Sequence, residues 1–190
     1  MRYNQSMRTN MRLFIAIEFP EEIKAELEKS AALLRRACKQ GTFTRRENFH
    51  LTLAFLGQVP SQRVHEIAGI MEVCASPPIP ITIGHMGRFK HREGDVLWRQ
   101  IEADSGLFQL QSDLATALRA QGFPLEEREY KPHLTLARRA VLKDGMKLFD
   151  LSAQMPDLNY AVEHMTLMRS EQIAGQIRYT PLHRTFLSAL

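Results

Sequence analysis

Cysteine is scarce in this chain, with only Cys38 and Cys74 among 190 residues. That excludes a disulfide framework, and no paired cysteines of the zinc type occur. Both cysteines fall on the apolar side of helix-like segments and read as buried free thiols of a reducing compartment. Long hydrophobic runs are also missing. The longest uncharged one near the start, Leu13 to Ile17, is closed by Glu18, too short for a signal-peptide core or a transmembrane span. The expectation is a soluble, cytoplasmic protein with no membrane partner. Neither sign of charge dominates: 25 Lys and Arg face 21 Asp and Glu, a net +4 that suits an anionic substrate without establishing nucleic-acid binding. With 44% hydrophobic and 24% charged residues, a disordered or fibrous chain is excluded. The length fits one compact domain or two small lobes sharing a core.

Periodicity divides the chain into interleaved strands and helices. Residues 1 to 10 are polar and aperiodic and read as a flexible leader, with folding expected to begin near Arg12. RLFIAIE is apolar on both strand faces, so it is central or covered. Pro20, Glu21 and Glu22 open a helix carrying Ile23, Leu27, Ala31, Leu34 and Cys38, which Gly41 is expected to stop after Lys39. HLTLAFLG predicts a strand from His50 to Leu56, followed by a helix from about Ser61 that Pro77 and Pro78 end. Two antiparallel strands follow, near 79 to 90 and 94 to 102, then a helix carrying Leu107, Leu110, Leu114 and Leu118. A strand from His133 to Arg139, a short helical segment near 145 to 149 and strands near 162 to 169 and 176 to 182 complete the chain.

One feature is repeated: residues 50 to 54 and 133 to 137 both read HLTLA, each in a strand-like context, as expected of a duplicated unit. Alternation puts His50 and Thr52 on one face with Leu51 and Leu53 on the other, and likewise His133 and Thr135 against Leu134 and Leu136. Each strand then has a polar face, its imidazole and hydroxyl about 6.6 to 6.8 Å apart along the strand. Two such faces opposed across a pseudo-twofold axis would surround one small group, read here as a phosphate. Opening a cyclic phosphodiester needs a base for the attacking water and an acid for the departing alkoxide. Histidine titrates near neutrality and serves as either, while hydroxyls and an arginine hold charge on the non-bridging oxygens. The pattern lacks companion carboxylates or thiolates, so it predicts no metal and no cofactor.

These residues resemble the 2H phosphoesterases, and within them the RNA 2′,3′-cyclic phosphodiesterases, also called 2′-5′ RNA ligases. The resemblance rests on RLFIAIEFP, ENFHLTLAFLG, GDVLWRQIE, KPHLTLAR, MTLMRS and GQIRYTPL. It implies an α+β, bilobal 2H phosphoesterase fold: two pseudo-symmetric lobes with antiparallel sheets around a central cleft and helices outside, one domain over residues 11 to 190. It implies His50 as proton donor to the leaving ribose 3′ oxygen and His133 as proton acceptor from water, with Thr52 and Thr135 on the phosphate. The implied substrate is RNA ending in a 2′,3′-cyclic phosphate, such as tRNA halves, and the product a 2′-phosphomonoester, with 2′-5′ joining as the related activity of a monomer. Arg138 matches a family position on the product phosphate, and Phe55 one near the nucleoside. Strict alternation nevertheless places both opposite the histidines, so either the strand bulges or ends there, or backbone groups make the contact.

Competing readings are a phosphodiesterase for small cyclic nucleotides or 2′-5′ oligoadenylate, and a non-catalytic RNA or nucleotide-binding module. HMTL at 164 to 167 repeats the His-x-Thr spacing but lacks the matching lead-in, so His164 reads as structural or surface, and His65, His85, His91 and His183 as solvated or structural. Trp98 reads as core packing. Arg128, Glu129 and Tyr130 receive no role. The basic groups around Arg35, Arg45 and Arg88 read as a solvated face or, for the Arg45 and Arg88 groups, as a path for RNA backbone.

Overall fold

The computed structural model describes residues 9–188. Among the described residues, nine strands form two antiparallel sheets. β1 (Asn10–Glu18) leads into α1 (Glu21–Ala37), β2 (Cys38–Phe43) and β3 (His50–Pro60). Then come α2 (Val64–Val73), β4 (Ile79–Phe89), β5 (Asp95–Ala103), α3 (Ser105–Ala120) and β6 (His133–Leu142). The chain closes with α4 (Leu148–Ser152), β7 (Leu158–Val162), β8 (His164–Ile173) and β9 (Gln176–Phe186). The strand orders are β3-β1-β8-β9 and β2-β6-β5-β4-β7, so each HLTL strand lies beside a neighbour that is paired on both edges: β1 for β3 and β5 for β6.

The helices cover the outer faces. α1 lies against β2 and β6, whereas α3 lies against β3 and α2 against β8 and β9. Leu27, Ala31 and Leu34 form the buried stripe of α1, and Leu107, Leu110, Leu114 and Leu118 that of α3. These stripes join Ile15, Ile17, Leu51, Leu53, Leu134 and Leu136 in one hydrophobic core. Because the leucines of both HLTL segments are drawn into it, the histidine and threonine of each segment are left on the opposite, concave face.

Several boundaries differ from the sequence reading. Most of the expected leader lies outside the described residues, but Asn10 is already paired with Pro60, so the first strand begins two residues before Arg12. Helix α1 stops at Ala37 rather than Lys39. Cys38 has extended backbone and opens β2, an edge strand that runs through Gly41. Sheet pairing with β6 overrides the short helical continuation there. Cys38 is a buried free thiol, and Cys74, just beyond α2, is free and half-buried. β7 has little apolar alternation of its own and exists by pairing with β4. Among the described residues, no helix is long and apolar enough to cross a membrane.

Candidate active site

The two HLTLA segments share their irregularities as well as their letters. Along β1 and β3, Ala16 pairs with Thr52 but Ile15 with Ala54, so Leu53 is the extra residue of a bulge. Along β5 and β6, Trp98 pairs with Thr135 but Leu97 with Ala137, so Leu136 is the extra residue. Each bulge buries two successive residues, Leu53 with Ala54 and Leu136 with Ala137, and so reverses the phase of the strand. Phe55 and Arg138, which strict alternation sends to the far side, are therefore turned to the histidine side. Phe55 is partly exposed and its ring lies 6.4 Å from that of Phe14. The charge of Arg138 acts on both histidines. A second irregularity follows on β6, where Arg139 takes a left-handed φ of 51° against the backbone of Gly94. It leaves both Arg138 and Arg139 exposed.

The two imidazoles are held alike. His50 Nδ1 lies 2.7 Å from the Asn48 carbonyl and His133 Nδ1 lies 2.6 Å from that of Lys131. A carbonyl only accepts, so each Nδ1 carries the hydrogen and each neutral ring offers Nε2 for chemistry. His50 Nε2 accepts from the Thr52 hydroxyl at 3.1 Å. Asn48 is fixed in turn by its side-chain amide, which donates to the Ile177 carbonyl at 3.0 Å.

Burial lowers the proton affinity of both rings. For His50 the hydrogen bond to Asn48 opposes that, while the charges of Arg138 and His133 add to it and Glu18 works against it. For His133 the bond to Lys131 opposes burial, and Arg138 and Arg128 add to it. The charge of His133 acts on His50, and the strands that carry the two rings, β3 and β6, pack against each other.

Aromatic rings wall both sides. Phe14 and Tyr179 lie 5.0 and 5.1 Å from the His50 ring, and Phe89 and Trp98 lie 5.0 and 6.0 Å from that of His133. Trp98 is thus a correction: it is half-buried, lies over Gly87, where a Cβ would meet its ring at 2.1 Å, and faces His133 instead of the core. Its neighbour Arg99 takes the core face. Tyr130 is a further correction, since its hydroxyl donates to the Thr52 carbonyl at 3.1 Å. Thr44 makes the reciprocal contact, donating to the Thr135 carbonyl at 2.9 Å. The lead-in of each motif thereby braces the strand of the other. No short-range pattern marks these two residues, because their partners lie 78 and 91 positions away.

His164 sits on β8, and the hydroxyl of its Thr166 is taken by Glu18 at 2.7 Å. Of the basic groups, Arg46 is paired with Glu21 and Glu28, Arg45 with Glu47 and Arg88 with Asp95.

Residues 19–173 match the model of the 2′-5′ RNA ligase superfamily. The chain belongs to this superfamily. Among members of known name, it is 31% identical to the RNA 2′,3′-cyclic phosphodiesterase of Thermotoga maritima, over 84% of this chain and 87% of the relative. It is 29% identical to that of Escherichia coli, over 96% and 99%. The structure of Escherichia coli LigT complexed with 3′-AMP superimposes with a TM-score of 0.79 at 28% identity, covering 95% of this chain and all of that one. A Thermus thermophilus structure gives 0.77 at 26%, covering 93% and 98%. The superfamily's bilobal α+β fold, two antiparallel sheets about a cleft with helices outside, is the fold of this chain.

Proposed function

We propose that this superfamily member is an RNA 2′,3′-cyclic phosphodiesterase that opens a terminal cyclic phosphate to a 2′-phosphomonoester by two-histidine acid and base catalysis. The observation that carries the reading is the matched pair of imidazoles, each with Nδ1–H on a carbonyl and Nε2 turned away from that carbonyl, at one site with Arg138. The names of the superfamily's relatives support the choice of reaction.

In this reading His133 Nε2 takes a proton from water as the water oxygen bonds to phosphorus. The bond from phosphorus to the 3′ oxygen breaks, and His50, protonated at Nε2, gives that proton to the departing oxygen. His133 ends protonated and His50 neutral, and exchange with solvent resets them. Thr52 and Thr135 donate to the non-bridging oxygens, and Arg138 holds the charge that builds there. In this reading the departing 3′ oxygen displaces the Thr52 hydroxyl from His50 Nε2. These side chains supply both proton transfers and the charge stabilisation, so the scheme calls for no metal. In this reading Phe55, beside Phe14, offers its exposed ring to the nucleoside.

The test is incubation with an oligoribonucleotide ending in a 2′,3′-cyclic phosphate, in chelator, followed by identification of the terminal phosphate. A 2′-phosphate is expected. A 3′-phosphate would reverse the substrate in the cleft, and no turnover would overturn the reading.

A further inference from the structure

The two lobes match in register but not in charge. Counting along the central strands from the equivalent bulges, Ala16, Ile17 and Glu18 stand opposite Thr52, Leu51 and His50. Trp98, Arg99 and Gln100 stand opposite Thr135, Leu134 and His133. The residue across from one catalytic histidine is thus a carboxylic acid, and the residue across from the other is a neutral amide. Directly opposed residues have Cβ atoms about 5 Å apart, close enough for a charge on one to act on the other.

The carboxylate of Glu18 is fixed. Its Oε2 accepts from the Thr166 hydroxyl at 2.7 Å and from Arg184 Nη2 at 2.9 Å. Burial alone would raise its proton affinity, but the bonds from Thr166 and Arg184, with the charge of Arg184, hold it below the usual carboxylate range. Glu18 is therefore ionised at neutral pH. The groups that face it come from every neighbouring strand: His50 on β3, His164 and Thr166 on β8, Arg184 on β9 and Tyr160 on β7. His50 also meets Arg138 and His133 from β6 and the edge of Tyr179 from β9. The charges that act on His133 are those of Arg138 and Arg128, both positive.

We propose that Glu18 is a positioning residue that breaks the symmetry of the site, biasing the shared proton toward His50 and leaving His133, opposite Gln100, to act as base. A site with two equivalent histidines has no preferred direction of proton flow. One fixed negative charge on the His50 side supplies that preference, because it favours the protonated form of the nearer ring. Thr166 is the threonine of the third His-x-Thr sequence, yet here its hydroxyl serves to aim the carboxylate. The proposal rests on the acid and base reading above.

The test uses Glu18→Gln and Gln100→Glu, with histidine ring resonances followed by NMR across pH in the absence of substrate. In Glu18→Gln the His50 midpoint is expected to fall by about one unit while His133 stays in place. Gln100→Glu, with Glu18 intact, should raise the His133 midpoint and leave His50 nearly unmoved. In the rate profile, Glu18→Gln should shift the alkaline limb down by the same unit and cost about tenfold at pH 7, regained on acidification. Glu18→Asp should restore most of it. An unmoved His50, or equal movement of both histidines, would overturn the proposal. If Glu18→Gln fails to fold, Gln100→Glu still decides, since an unmoved His133 there overturns it. A wild-type protein without turnover would fail the functional reading, while the titrations would still decide where Glu18 places the proton.

Discussion

The hydroxyl of Tyr130, three residues before His133, donates to the carbonyl of Thr52, two residues after His50. One hydrogen bond thus ties the approach to the second motif to the strand of the first, and Thr44 to Thr135 closes the loop in the other direction. Tyr130→Phe deletes the donor and little volume. The expected cost is about 1 kcal/mol of stability, with kcat on the cyclic phosphate down severalfold and KM nearly unchanged. Chemical denaturation and steady-state kinetics measure both. An unchanged kcat would mean that the brace does not position the histidines.

The pH response follows from burial of the two imidazoles. In the free protein both ring titrations are expected below the ordinary histidine value of about 6.5, and added inorganic phosphate should raise both, because an anion between them favours protonation. For stability, the unfolded chain binds these protons more readily than the folded one in the window just below that value. Stability is therefore lost as pH falls from neutrality through the unfolded value toward the folded ones, and is regained as pH rises. Urea midpoints between pH 7.5 and 5.5, compared with those of a His50→Gln, His133→Gln variant, check the sign.

Gly94 lies with φ of 107°, and a Cβ there would stand 2.7 Å from the carbonyl carbon of Arg139. Gly94→Ala must move the left-handed turn of β6 at Arg139, the residue next to Arg138. The expected outcome is a loss of about 1 to 3 kcal/mol and weakened inhibition by inorganic phosphate, read by titration calorimetry. Wild-type phosphate affinity in the variant would detach Arg138 from that turn.

Arg99 is 1% exposed. Its guanidinium donates to the carbonyls of Ile83, Gly84 and Pro156 and to the Ser30 hydroxyl. Burial lowers its pKa, against the charge of Asp157. Arg99→Leu strips three carbonyls of a donor and is expected to cost about 3 to 5 kcal/mol, measured by urea denaturation, before any effect on chemistry. A loss under 1 kcal/mol would mean that water replaces the guanidinium.

What could be read from the letters is what repeats at short range. The two HLTLA segments, their alternation and the amphipathic stripe of α1 all follow from spacing within one element, and they placed His50, Thr52, His133 and Thr135 on polar faces that the fold turns inward. The side of Phe55 and Arg138 could not be read, because it depends on one extra residue in each strand, which only the register against β1 and β5 reveals. The side of Trp98 is hidden for a related reason. Its strand has apolar neighbours on both faces, so alternation does not say which face meets the core, and the gap over Gly87 decides. Glu18, Thr44 and Tyr130 act across strands or between lobes and leave no local signature. Cys38 sits where a helix passes directly into an edge strand, and the propensities of the two overlap there.

The central claim is that two histidines, and not the third His-x-Thr sequence, perform the chemistry. The most direct measurement is the single-turnover rate on an RNA ending in a 2′,3′-cyclic phosphate for His50→Ala, His133→Ala and His164→Ala, each checked for folding. The account predicts losses of about a hundredfold or more for the first two and a change within a few fold for the third. Comparable losses at all three, or near-wild-type turnover without His50 or His133, would contradict it.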